Sequence, residues 1–153
     1  MIQGVEVKGL KVLADKRGRL MEILRADDKE FVKFGQVYIT TAFPGFAKAW
    51  HYHAKQYDFF TCVKGKIRLV LYDQRENSKT RGEIQEFIIS MEENPVLVKI
   101  PPLVCHGFEA VGPEEAIVVN TVTEPYNYEK PDEHRLKFDD PKIGFKWAAR
   151  EGG

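Results

Sequence analysis

No stretch of ten or more residues in this chain carries a convincing 3.6-residue apolar period, which argues against a helical architecture. Short segments rich in β-branched and aromatic residues recur instead, separated by Gly and Pro turns. Gly4 to Leu13 alternates loosely through Val5, Val7, Leu10 and Val12 and reads as an edge or arm strand. Further strands are predicted at Leu20–Leu24, Gln36–Phe43, Ala47–His53, Asp58–Val63, Ile67–Tyr72, Glu83–Ser90, Val96–Ile100, His106–Ala110 and Ala116–Thr123. Asp15-Lys16-Arg17-Gly18 and Pro44-Gly45 are turn signals. The two strands around Lys64-Gly65-Lys66 read as a hairpin, and Asp27 to Phe31 as a single helical turn capped by Asp27 or Asp28. The pattern predicts an all-β sandwich or barrel. With 153 residues and no internal repeat, low-complexity segment or linker, residues 1–153 are expected to form a single domain.

Composition narrows the function classes. Hydrophobic residues make 43% and charged residues 30%, with 23 charges of each sign and no net charge. Such a surface favours neither nucleic acid nor an anionic membrane as partner. No apolar run approaches the roughly 18–20 residues of a membrane span, and the N-terminus does not read as a signal peptide. A cytoplasmic location is expected. Cys62 and Cys105 each lie in an apolar segment and read as buried free thiols.

The polar feature of note is His51-Tyr52-His53. Histidines one residue apart cannot share a helix face, but on a strand positions i and i+2 point the same way. His106, from a neighbouring strand, completes a set that could hold a metal, move a proton or sit in a core.

The spacing Gly45-x5-His51-x-His53-x4-Asp58-x6-Gly65 resembles the first signature of the cupin superfamily, a small jelly-roll barrel. The second signature is weaker: Pro101 and His106 keep its spacing, but Leu103 and Ala110 replace its glycine and asparagine. Almost the whole chain resembles the dTDP-4-dehydrorhamnose 3,5-epimerase family of this fold. The matching stretches include Asp15-Lys16-Arg17-Gly18, Val63-Lys64-Gly65-Lys66-Ile67, the loop Asp73 to Gly82, Cys105-His106-Gly107-Phe108, Thr121-Val122-Thr123, and Asp139-Asp140-Pro141 through Trp147. The resemblance implies a cupin-type jelly roll with short terminal additions, a homodimer with exchanged N-terminal strands, and no cofactor. It also implies a reaction: protons next to the C4 ketone of a nucleotide-linked sugar are removed and returned on the other face through an enolate. By position, His51 matches the family's base and His106 its second active-site histidine. Arg17, Glu22 and Gln36 match nucleotide contacts. Lys48 stands where the family has a diphosphate-binding arginine, and a lysine keeps the charge without the bidentate fork.

Three positions depart from the pattern. Asp58 aligns with the family's keto-oxygen lysine, which Lys55 could replace only through a gap. Asn120 aligns with its proton-donating tyrosine. The aspartate that pairs with its base has no counterpart after Trp147. Asp58 is therefore a candidate partner for His51 or His53, and Tyr126 or Tyr128 a candidate acid. His53 and Asn120 are taken as substrate contacts. The same departures open two other readings. In one, His51, His53, Asp58 and His106 bind a divalent metal. In the other, the chain binds a nucleotide sugar without turning it over.

Overall fold

The computed structural model describes residues 1–153 and contains strands but no helix. In chain order these are β1 (Glu6–Gly9), β2 (Val12–Asp15), β3 (Gly18–Met21), β4 (Gln36–Ala42), β5 (Phe46–Tyr52), β6 (Asp58–Lys64) and β7 (Ile67–Asp73). Then follow β8 (Ile84–Ile89), β9 (Val96–Ile100), β10 (Val104–Ala110), β11 (Ala116–Val122) and the two-residue strands β12 (His134–Arg135) and β13 (Glu151–Gly152). One sheet runs β1-β9-β6-β11-β4; the other runs β12-β5-β10-β7-β8, with β13 added beside β5. All pairings are antiparallel except β13 with β5. The two facing sheets make the cupin-type jelly roll that the sequence predicts.

The core lies between the sheets. Phe60, Val98 and Val118 from one sheet pack with Leu69, Leu71 and Phe108 from the other. The outer faces are covered too. Trp50, Val70 and Cys105 lie under the C-terminal segment, through Ile143 and the half-buried Phe138, Phe145 and Trp147. Phe59 and Leu97 lie under Met21, Ile23 and Leu24. Coverage on both faces explains why Asp58 to Cys62 is buried without a break instead of alternating. Both cysteines are buried and free, and burial pushes their thiols up, to about 11 for Cys62 and about 12 for Cys105.

Two local expectations are corrected. β6 and β7 do not pair across Gly65, so the turn is not a hairpin. It is a corner where the chain leaves one sheet for the other. Gly65 has φ +70°, and a side chain there would meet the Glu115 carbonyl at 2.9 Å. Asp27 to Phe31 is a pair of turns and not a helical turn; the Asp28 carboxylate accepts the Arg25 amide at 2.7 Å and also pairs with Lys8. The distinctive Asp73–Gly82 loop is tied to one side chain. Burial works against the charge of Asp73, but hydrogen bonds from Arg75, Ser78 and Thr80 outweigh it and hold the carboxyl far below its ordinary range.

Candidate active site

The site forms where β5 and β10 pair directly, with His51 opposite His106. Their ring centroids are 4.1 Å apart. His53 lies one residue beyond the end of β5, at 5.6 Å from His51 and 5.9 Å from His106. The i, i+2 relation therefore brings both rings to one side, and one nitrogen from each of the three histidines falls within a 4.8 Å cluster. Asp58, the first residue of β6, reaches the cluster from the opposite sheet.

The hydrogen bonds fix the tautomers. Nδ1 of His106 lies 3.1 Å from the Val104 carbonyl, and Nδ1 of His53 bonds the Asp132 carbonyl. A carbonyl only accepts, so each Nδ1 carries a hydrogen, and whenever a ring is neutral its lone pair is on Nε2. Both Nε2 atoms are buried without a hydrogen-bond partner. They face Asp58 Oδ2 at 3.5 Å (His53) and 3.9 Å (His106). The other carboxylate oxygen is satisfied: Oδ1 accepts from Gln56 Nε2 at 3.0 Å and Asn120 Nδ2 at 2.8 Å. Asp58 thus partners His53 and His106, and not His51.

Burial first, then the neighbouring His106 and His53, depress His51 well below its ordinary 6.5. Burial also lowers His106, against the opposing pull of Asp58. Both rings are neutral at pH 7, the state in which an imidazole can accept a proton.

His51 and His53 open on a cavity of about 1150 Å³ between the sheets. Gln36, Lys48 and Tyr126 line it as well. Lys48 donates to Thr40 at 3.0 Å, and Gln36 accepts the Tyr126 amide at 2.8 Å. Asp58, His106 and Asn120 are buried behind the wall. The Asn120 amide is fully engaged there: its oxygen accepts the Phe59 amide at 3.0 Å, and its nitrogen donates to Asp58 and to the Tyr38 hydroxyl at 2.8 Å. Asn120 is thus placed as a support for Asp58 rather than on the cavity surface. Arg17 and Glu22 are not brought to the cavity by their own chain. Arg17 forks onto Asp15 in the β2–β3 turn with 83% of its side chain exposed, and Glu22 pairs with Arg25.

Three residues of the site escape the sequence patterns. Gln56 and Tyr38 are two. The third is Asp132, whose carboxylate caps the turn after His53 by accepting the Ala54 and Lys55 amides at 2.8 and 2.9 Å. Tyr38 had a readable signal, since Gln36, Tyr38 and Thr40 alternate as the polar face of β4 and all line the cavity. Asp132 had none, because its partners lie 76 to 79 residues away.

A jelly roll with a roomy cavity, the neutral His51 imidazole and His53 on its wall, and a carboxylate behind them defines a cupin-type protein suited to proton transfer on a small molecule. The comparisons with known proteins carry this further. The chain belongs to the dTDP-4-dehydrorhamnose 3,5-epimerase family, whose model matches residues 1–152. It is 42% identical over 154 residues to a probable low-salt glycan biosynthesis epimerase of Haloferax volcanii, covering 99% of this chain and 98% of that one. It is 42% identical over 147 residues to a spore coat polysaccharide biosynthesis protein of Bacillus subtilis, covering 96% and 97%. Among solved structures, a dTDP sugar isomerase from Desulfovibrio desulfuricans superposes with a TM-score of 0.91 at 33% identity, covering 96% of this chain and 92% of that one. Membership makes this chain an isomerase of the epimerase class.

Proposed function

We propose that this chain epimerises a dTDP-linked 4-keto-6-deoxyhexose, with His51 as the base. The observation that supports this most is a neutral, half-buried imidazole on the wall of a cavity of about 1150 Å³. His51 takes the proton from the carbon next to the ketone, and the electron pair spreads onto the C4 oxygen as an enolate. The ketone is itself the electron sink and the reaction is redox-neutral, so the family's chemistry needs no cofactor. His106 meets the His51 ring edge-on from behind and keeps it directed at the cavity, while Asp58 supplies negative charge beside His106. Lys48 and Gln36 are the contacts this chain offers to the nucleotide diphosphate end. Turnover tests the reading. The protein is incubated with dTDP-4-keto-6-deoxyglucose and the product's stereochemistry read by NMR. An inverted centre at C3 or C5 supports it; dTDP binding without any inversion would make the chain a nucleotide-sugar-binding protein instead.

Residues 1–153 act in this reading as one domain, in the cytoplasm, as a homodimer. No helix is long and apolar enough to cross a membrane. Arg17 and Glu22, far from their own cavity, would serve a partner's if the β2–β3 hairpins were exchanged.

A second reading has its own support. With both rings neutral, the two partnerless Nε2 atoms and Asp58 Oδ2 are three acceptors with no donor among them, a set that suits a divalent cation. His51, His53, Asp58 and His106 would hold it, and a bound cation would polarise the sugar ketone. Elemental analysis of the purified protein decides: stoichiometric metal lost in His53→Ala supports this reading, and its absence leaves the proton-transfer site alone.

A further inference from the structure

Inverting a carbon needs a proton removed on one face of the sugar and delivered on the other. A single base on a single strand cannot serve both faces unless the ring turns over. His51 stands on β5, in one sheet. Across the cavity runs β4, the edge strand of the other sheet, which turns Gln36, Tyr38 and Thr40 toward the same space. Of these only Tyr38 carries a proton it can transfer.

The phenol is set for that task. Its oxygen accepts a hydrogen bond from Asn120 Nδ2 at 2.8 Å, so its own O–H remains to point at a ligand. Asn120 cannot turn away, because its oxygen holds the Phe59 amide and its nitrogen also holds Asp58. Tyr38 and Asn120 are directly opposed in the β4–β11 register, so the contact is built into the sheet. Burial, and then the charge of Asp58, push the phenol well above its ordinary 10 and keep it protonated at neutral pH. Tyr126 lines the same cavity but is 46% exposed, with the Tyr128 ring beside it at 5.0 Å.

We propose that Tyr38 is the catalytic acid of the epimerisation, acting on the face of the sugar opposite His51. The proposal rests on the reading of the cavity as an epimerase site. His51 takes the carbon-bound proton and the C–H electron pair moves into the enolate. The enolate carbon then takes the phenolic proton of Tyr38, and the ketone reforms. The phenolate left on Tyr38 is held by the Asn120 amide until it takes a proton from water, and the His51 imidazolium returns its proton to water. Protons balance and no oxidant or reductant is involved.

The test is Tyr38→Phe in D2O with dTDP-4-keto-6-deoxyglucose, with Tyr126→Phe in parallel and dTDP affinity measured by calorimetry. Tyr38→Phe should bind dTDP as wild type does. It should still exchange substrate hydrogen for deuterium, within about threefold of wild type, while inverted product falls by about 100-fold or more. Tyr126→Phe should not separate the two rates: whatever it does to inversion, exchange should change in proportion. Inversion at the wild-type rate in Tyr38→Phe overturns the proposal, as does a split between exchange and inversion that appears in Tyr126→Phe instead. If wild type itself shows neither exchange nor inversion, the epimerase reading fails and takes the proposal with it. Exchange with inversion in wild type but no split in Tyr38→Phe sinks Tyr38 alone.

Discussion

Asp58 is held by two donors on one oxygen and faces the Nε2 atoms of His53 and His106 with the other. Its two simplest substitutions should therefore behave differently. In Asp58→Asn the oxygen still accepts from Gln56 and Asn120, and the new amide can donate to His53 Nε2, so stability should change by less than about 1 kcal/mol. Asp58→Ala strips both donors of their acceptor in a buried setting and should cost about 2–5 kcal/mol, read from urea midpoints. The histidines set an acid limit. His51 and His106 have folded values below the unfolded 6.5. The unfolded chain therefore binds more protons, and stability rises with pH across the gap. In EDTA-treated protein stability should be full above about pH 6.5 and fall as pH drops below it, and His51→Asn should flatten that slope. At this scale the sequence showed His51, His53, Asp58 and His106 because ligand-like spacing along strands is visible in one dimension. Gln56 hid in plain view two residues before Asp58. Tyr38 and Asp132 act through bonds to residues 79 to 82 positions away, and a linear pattern does not carry those.

Strand pairing decides where these side chains stand. Gly107 lies between His106 and Phe108, where the β10–β5 register shifts. A side chain there would run into Ala49 and come within 2.9 Å of the Lys48 carbonyl. Gly107→Ala should push β5 away from β10 and carry His51 with it. The expected result is a loss of about 1–3 kcal/mol in stability and about 100-fold in kcat, measured by thermal melts and turnover. The strands themselves were legible, since β-branched and aromatic runs bounded by Gly and Pro leave few alternatives. The Gly65 corner was misread because a glycine with positive φ serves a hairpin and a sheet-to-sheet corner equally well. What separates the two is the choice of neighbours: β9 and β11 for β6, β10 and β8 for β7. Asp27 to Phe31 failed as a helix for a related reason. Asp28 caps a turn at Arg25 and pairs with Lys8 on β1, and so ties the segment to the sheet edge instead of starting a helix.

The whole molecule presents a cavity served by both sheets and an apolar edge beside it. Val37 and Ile39 on β4 are 52% and 66% exposed. That edge, and Arg17 and Glu22 stranded on the β2–β3 side, fit the homodimer with exchanged N-terminal strands that the family resemblance implies. Analytical ultracentrifugation should give twice the 17.6 kDa chain mass, and Ile39→Lys should shift the species toward monomer. The fold was readable from pattern and resemblance together; the cavity was not, because it belongs to the gap between sheets and to no one segment. The central claim is that His51 removes a proton from a keto sugar in that gap. Its most direct measurement is the rate of deuterium uptake from D2O at C3 and C5 of dTDP-4-keto-6-deoxyglucose, in wild type and in His51→Asn. Uptake in wild type that falls by about 100-fold or more in His51→Asn, with dTDP binding retained, is the expected result. Equal uptake in the two proteins would show that another group is the base.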